Sequence, residues 1–486
     1  MKKFILLSFV LLLFLTACGN NSDTPSDTTT MTQVEEEIVS ETTESGDVPD
    51  IGDEDYGGRV FNLFYLNWSL YRDYYFSDGL NGDIINDAAY ERLQKVEEQL
   101  KIDIQTSITA PTNGGTEQLG KLRETVMAGD DTYDLLLIHN STQLVNYVSD
   151  RLVLNWQDIP TANMEKSYWN QSVLDNMTLA GMTPFASNDF VLPDVNTIFF
   201  NTQMSADLNH EDPYSLVLNN KWTWDKLTEM ASTASADLNG DGVYDDQDQY
   251  GFVGEAGWQF GSIPTGCDQY IVATDNNGAP QMNMNTSKMV NIIEKINFLI
   301  NSGNNSFIWS YSTATDPNSG GTPPVSFDSG RALFYLVPMS LAKVFRETDV
   351  DFGILPLPKY DEAQKEYITL NWAGFLCVPM TVSDPELVGK VSELLAYYSK
   401  STVIPAFYDV VLGQKISRNQ ESIQMLDIIF ENTVYDLGIY LGFYGVTSDM
   451  AKANNNDFAS YYAKNENNYI KTLNDYYKAH EDYMNE

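Results

Sequence analysis

Apolar and polar positions along this chain change period several times, and each change marks an element. Residues 60–66 alternate apolar with polar positions, which predicts a strand. Asp83 then precedes Ile85, Ala89, Leu93, Val96 and Leu100, spaced by three or four, so an N-capped helix is expected. Ile102, Ile104 and Ile108 return to period two. Leu119, Leu122 and Val126 mark a second helix, Gly129-Asp130-Asp131 ends it, and residues 135–138 form a wholly apolar strand. Strand–helix–strand–helix–strand predicts a parallel sheet covered by helices through right-handed crossovers. Ligands of such sheets bind beyond the carboxyl ends of the strands, which lead here into Asn67-Trp68 and His139-Asn140-Ser141.

The second half continues in the same manner. Residues 156–183 read as helix and loop, 195–200 as a strand, and 222–230 as a short helix that buries Trp222 and Trp224. Residues 286–300 form an amphipathic helix through Met289, Ile292, Ile293, Ile296 and Leu299, and 311–324 is a Ser, Gly and Pro loop. The stretch 327–379 opens on the turn Asp328-Ser329-Gly330 and the apolar run 332–337. A short helical pattern, an extended segment at 353–358, a polar loop and a second apolar run at 374–378 follow. Ser383-Asp384-Pro385-Glu386 starts a helix that Leu387, Val391, Leu394 and Tyr398 continue, and the tail from Asn455 is helical. No internal repeat is present. The pattern alone yields two α/β domains.

The first residues change this picture. Lys2 and Lys3, the apolar residues 4–15, and Thr16-Ala17-Cys18 read as a basic region, a short apolar core and a small-residue cleavage site. The apolar run is too short to span a bilayer. Leu15-Thr16-Ala17-Cys18 resembles a bacterial lipobox, so residues 1–17 are expected to be a lipoprotein signal peptide, with Cys18 lipidated and holding the chain at a membrane surface. Residues 18–56, rich in Ser, Thr, Asp and Glu, predict a disordered acidic tether averaging roughly 35 Å end to end. The formal charge of −40 makes nucleic-acid binding unfavourable and points to a neutral ligand. Cys267 and Cys377 show no metal spacing; they are two buried thiols, favoured because Cys377 lies in an apolar run, or one disulfide.

Several segments resemble family 1 extracellular solute-binding proteins of bacterial ABC importers. The wording "FDSGRALF", "FGILPLPKYDEAQKEY" and "WAGFLCVP" within 327–379, and "YWNQSVLDN" from Tyr168, carry the resemblance, which extends over about residues 57–450. It implies a two-lobed periplasmic-binding-protein-like fold (type II), each lobe a mostly parallel sheet flanked by helices, with three hinge crossings near Pro193, Pro338 and Trp372. The expected division is 57–194 with 330–371 as lobe 1 and 195–329 with 372–486 as lobe 2. The resemblance further implies a monomer that captures a carbohydrate, in the first instance an oligosaccharide, and delivers it to membrane permease subunits, on the outer face of a Gram-positive cell.

Two constellations carry candidate chemistry. In "DLNGDGVYDDQD", Asp237, Asn239, Asp241, Val243, Asp245 and Asp248 occupy the ligand positions of a calcium loop, with Gly242 at its sharp turn. Asp in place of Glu at the last position predicts weak affinity, in the ~0.1–1 mM range of extracellular sites. In the family resembled, such loops are structural, so Ca2+ is expected as a stabilising ion; a solvated acidic turn is the alternative. The second constellation is aromatic. Sugars stack on Trp and Tyr while Asp and Asn bond their hydroxyls. Asn67, Trp68, Asn140, Ser141, Asp189, Asp194, Trp258, Trp309, Asn371 and Trp372 lie in polar loops or flank the expected crossings and are the candidate ligand-binding residues.

His139, His210 and His480 lack metal spacing, and neither a nucleophile elbow nor a phosphate loop occurs. No catalytic residue is assigned and no enzyme activity is expected. A wall-tethered glycoside hydrolase remains open because acidic residues are abundant, as does a sugar-sensing or adhesion lipoprotein.

Overall fold

The computed structural model describes residues 48–485, apart from 68–71, 111–113, 140–142, 246, 256, 276–277, 310–324 and 413–419. The expectations placed on residues 1–47, including Cys18, and on Trp68, Asn140 and Ser141 lie outside the described residues.

The first sheet is built as the periodicity predicts. β1 (Arg59–Tyr65) pairs in parallel with β2 (Ile102–Ile108) and β3 (Leu135–Ile138). The helix Ile84–Leu100 joins β1 to β2; the Asp83 carboxylate caps it by accepting from the N–H groups of Ile85 and Asn86 at 3.0 Å each. Its buried stripe holds the five predicted apolar positions and also Arg92, which is fully buried.

The second sheet comprises β4 (Asn196–Asn201), β5 (Tyr250–Glu255), β6 (Ser306–Trp309), β7 (Ala332–Pro338) and β8 (Phe352–Leu355), in the order β8-β4-β7-β5-β6. β4 is antiparallel to both neighbours, whereas β5 is parallel to β7 and β6. β9 (Phe375–Cys377) then returns to the first sheet, antiparallel to β3. A Cβ on Gly374 would lie 2.0 Å from the Ile138 carbonyl oxygen, so only glycine permits this approach.

This pairing corrects the expected division of the chain. The segment 330–371 contributes β7 and β8 to the sheet of β4, and 375–377 belongs with β1–β3. The helices Pro385–Ser399 and Val403–Leu412 pack on Ile84–Leu100 of the first lobe, while Gln420–Glu431 packs against β8 of the second. Apolar runs of one length and composition suit either sheet, and periodicity does not encode the partner strand.

Two crossings lie side by side. Val195 bridges Asn371 in antiparallel fashion, and the Trp372 N–H donates to the Asp194 carbonyl at 2.6 Å. Beyond these crossings, the chain packs on the first lobe through Val403–Leu412 and on the second from Gln420. Large apolar clusters draw on both sheets: one contains Phe61 and Leu137 with Phe199 and Tyr335. Among the described residues, no helix is long and apolar enough to cross a membrane.

Candidate functional site

The crossing is fastened by Asn371, which is 2% exposed. Its Oδ1 accepts from the N–H groups of Asp194 (2.9 Å) and Ala373 (3.0 Å), and its Nδ2 donates to the Tyr435 hydroxyl at 2.8 Å. The Tyr440 hydroxyl donates to its carbonyl. The amide oxygen, one amide hydrogen and the carbonyl of Asn371 are thus used in joining the two crossing segments to residues 435–440. This buried residue holds the hinge.

Beside it opens a narrow cavity of about 30 Å³ whose wall includes Leu66, Tyr75, His139, Asp194 and Trp372. That volume admits a water molecule or two and no sugar ring. The wall combines the carboxyl ends of β1 and β3 with the two crossings, where the topology rule places a ligand. Burial pulls His139 down to about 3, so its imidazole is neutral at physiological pH. Burial and the neighbouring Asp194 push the Tyr75 phenol far above its usual range. Behind Tyr75, Arg92 donates to the carbonyls of Tyr74 (2.9 Å) and Tyr75 (2.8 Å) and to Ser399 Oγ (3.1 Å), and lies 4.5 Å over the Phe190 ring. It thereby fixes the short helix Arg72–Tyr75 against the lobe.

Trp372 continues this wall into the second lobe. Trp258 and Tyr444 flank it edge to face, with ring centroids 5.4 and 5.5 Å away at 79° and 83°. The Ser262 hydroxyl receives both the Trp372 Nε1–H (2.7 Å) and the Asn196 Nδ2–H (2.6 Å). Gly261 makes the trio possible: a Cβ there would lie 2.9 Å from Tyr444 Cβ and 3.4 Å from the Trp372 ring. At the carboxyl end of β5, Glu255 is 3% exposed and its N–H donates to Gln259 Oε1 at 3.1 Å. Burial and the nearby Glu255 together push the Tyr335 phenol upward.

The structure thus brings Asp194, Trp258 and Trp372 of the candidate residues into one region. Asn67 adjoins Leu66 in the wall, with its N–H on Thr109 Oγ1 at 3.1 Å. Trp309 ends β6 in register with Glu255, its side chain being outside the described residues. Asp189 is not part of the cavity wall; its N–H donates to the Tyr168 carbonyl at 2.9 Å. Tyr75, His139, Glu255, Ser262 and Tyr444 were not singled out from the sequence as ligand-binding. The carboxyl-end rule applies to Glu255, but Gly251 and Gly254 interrupt the apolar pattern of β5 and conceal the strand. The "YWNQ" segment is structural: the Tyr168 hydroxyl and the Trp169 Nε1–H (2.6 Å) both donate to the buried Glu393 carboxylate.

Away from the cleft, the acidic loop winds as its motif predicts, with Gly240 and Gly242 at φ 74° and 78°. Asp237 accepts from the N–H groups of Gly240 and Gly242, Asp241 from Val243, and Asp245 from Gln247. Asp248, fully buried, accepts from Leu238 (2.9 Å) and Asp245 (3.0 Å). Among the described residues no three acidic, His or Cys side chains already stand together as a metal cage. The donors nonetheless suit a hard cation, being oxygens with lone pairs beyond those used by the loop. Cys267 and Cys377 are both free and buried, and burial pushes the Cys267 thiol up to about 12.

No family model and no curated protein matches this chain. Solved structures do. An ABC substrate-binding protein from Listeria monocytogenes in complex with cycloalternan is 13% identical with a TM-score of 0.53, covering 88% of this chain and 99% of its own. UgpB from Mycobacterium tuberculosis in complex with glycerophosphocholine is 12% identical with a TM-score of 0.57, covering 86% and 98%. A cyclo/maltodextrin-binding protein complexed with maltotetraose is 15% identical with a TM-score of 0.53, covering 88% and 99%. The chain has the two-lobed α/β fold of these substrate-binding proteins.

Proposed function

We propose that this chain is the solute-binding component of an ABC importer and captures a neutral carbohydrate, an oligosaccharide, between its lobes. The observation that carries the reading is the aromatic trio Trp258, Trp372 and Tyr444 at the crossing, where Trp372 shares a cavity wall with Asp194. Aromatic faces stack on sugar rings and buried carboxylates accept from hydroxyls. Asp194 lines the cavity, whose described lining includes no Lys or Arg, so a phosphodiester such as the one in the UgpB complex lacks a counter-charge here. Several structural neighbours hold oligosaccharides, which supports the same class.

The 30 Å³ cavity requires the lobes to part for entry and to close over the ligand, with closure read by membrane permease subunits. No reaction is assigned. In this reading Cys18 carries the lipid anchor on the outer face of a Gram-positive membrane and the protein works as a monomer. The loop of Asp237, Asn239, Asp241, Val243, Asp245 and Asp248 holds a structural Ca2+.

A thermal-shift screen over neutral glycans tests the central claim. One or more oligosaccharides should raise the Tm of the intact protein and lose that effect in Trp372→Ala. Catalytic turnover of a bound glycan, or stabilisation by glycerophosphocholine alone, would overturn it.

A further inference from the structure

A second polar depression, of about 770 Å³, lies wholly on the second lobe, away from the crossing. Its walls are the helices Trp224–Ala231 and Ser287–Asn301, Tyr360, and residues 454–456. The volume falls within the range of small-molecule sites. One face of Ser287–Asn301 presents Asn291, Glu294, Lys295, Phe298 and Asn301, at helical steps of three and four, opposite its buried stripe. That face extends about 15 Å, the length of a tri- or tetrasaccharide.

Three features give the groove its chemistry. Phe298 is 62% exposed, an aromatic face presented from the last turn of a helix whose other apolar residues are buried or half-buried. Lys295 is the single cation among the described lining residues, and it is engaged: it pairs with Asp225 and lies 5.3 Å over the Tyr360 ring. The groove therefore has no cation to spare for an anionic ligand, on a chain already carrying a charge of −40. The third feature is Asn297, 4% exposed. Its Nδ2 donates to the Asn455 carbonyl (2.8 Å) and to Asn456 Oδ1 (2.6 Å), which settles the amide orientation. Its Oδ1 then remains a buried acceptor with no donor among the described residues. An unmet buried acceptor costs free energy, which a hydroxyl or a water donating to it would recover.

We propose that this groove is a second carbohydrate site, taking a neutral glycan of three or four sugars that stacks on Phe298 and bonds its hydroxyls to the side-chain amides of Asn291, Asn297 and Asn456. The amides supply donors and acceptors without charge, as hydroxyl recognition needs. The site is separate from the cleft and does not depend on the reading given to it. Its ligand is either a soluble oligosaccharide or an exposed chain of wall polysaccharide, which share this chemistry.

Hydrogen–deuterium exchange on the full chain separates the two sites. With maltotetraose or cellotetraose at millimolar concentration, peptides covering 287–302 and 454–456 should gain protection in the wild type and in Trp372→Ala. Phe298→Ala should weaken that protection at least ten-fold while leaving Tm and the peptides of 370–376 unchanged. Retention of the wild type but not of Phe298→Ala on insoluble wall glycan, without protection by soluble probes, identifies the polymer and equally supports the site. Protection confined to 370–376 would sink this proposal and leave the cleft reading standing. Protection of the groove by an asparagine-rich peptide and by no glycan would also overturn it.

Discussion

Trp372 and Ser262, 110 positions apart in sequence, are joined by a hydrogen bond of 2.7 Å from the indole Nε1–H to the hydroxyl oxygen. One residue belongs to a crossing segment and the other to the helix Trp258–Gly266 of the second lobe. The bond fixes the indole plane between Trp258 and Tyr444. Trp372→Phe retains an aromatic face but loses the donor, and is expected to cost about 1 kcal/mol beyond its volume change. Trp372→Ala removes a side chain that is 95% buried and should cost roughly 3–5 kcal/mol. Urea denaturation measures both. In calorimetry the Phe variant should keep glycan binding within about ten-fold, and the Ala variant should lose it. Equal binding by all three proteins would mean that the trio is packing and nothing more.

Asn371 supports a second prediction, of the opposite kind. Because its amide joins Asp194, Ala373 and Tyr435, Asn371→Ala leaves the buried N–H groups of Asp194 and Ala373 without this acceptor and takes a donor from the Tyr435 hydroxyl, which keeps its bond to Ser187, a cost of roughly 2–4 kcal/mol. Asn371→Asp keeps the acceptor, loses the donor to Tyr435, and places a carboxylate beside buried Asp194. Both variants should lower Tm strongly. Residual folded protein should bind glycan with altered affinity through the hinge. A Tm within one degree of wild type for Asn371→Ala would remove the residue from this role.

The local elements were legible in the sequence because local rules govern them. Asp83, Thr286 and Asp384 cap the helices that their positions predict, and the stripe of Ser287–Asn301 buries the expected residues. What the sequence did not disclose is long-range. The run Ala332–Pro338 pairs with β4 and β5 in the second sheet, against the expected division, because nothing in the run itself specifies those neighbours. Arg92 was hidden in an apolar stripe, since its partners are the carbonyls of residues 74 and 75 and a serine 307 positions away. Asp194, Trp258 and Trp372 were accessible as boundary residues of polar loops, whereas Tyr444 depends on the small side at Gly261, a contact no periodicity announces.

The acidic loop yields a prediction about ion removal. Its backbone is wound by its own carboxylates, and Asp248 is buried with both oxygens engaged. A bound Ca2+ stabilises the folded state by RT ln(1 + [Ca2+]/Kd). At 10 mM Ca2+ and a Kd near 0.1–1 mM, the gain is about 1.4–2.7 kcal/mol. Adding chelator should therefore lower Tm by several degrees in the wild type and hardly at all in Asp241→Asn. Identical melting with and without chelator would show that the loop holds itself together.

Two buried groups make the pH dependence of stability a matter of opposing slopes. His480 donates Nδ1–H to the Tyr476 carbonyl at 2.8 Å, while its buried Nε2 has no partner among the described residues. Burial lowers it from 6.5 to about 4. Between those values the unfolded chain binds more protons, so this contribution is present above pH 6.5 and is lost as pH falls through 4. Asp436 is the reverse case: burial raises it from 3.8 to about 6, although it accepts from the N–H groups of Ile271, Val272 and Gly438. There the folded chain holds the proton longer, so stability is greatest below 3.8 and declines as pH rises through 6. Each shift corresponds to roughly 3 kcal/mol, and over pH 4–6 they largely cancel. Difference curves from urea titrations should expose them. Relative to wild type, His480→Gln should gain stability as pH falls from 6.5 to 4, and Asp436→Asn should lose it over 6 to 3.8. Parallel curves for all three proteins would mean that neither group changes its protonation on folding.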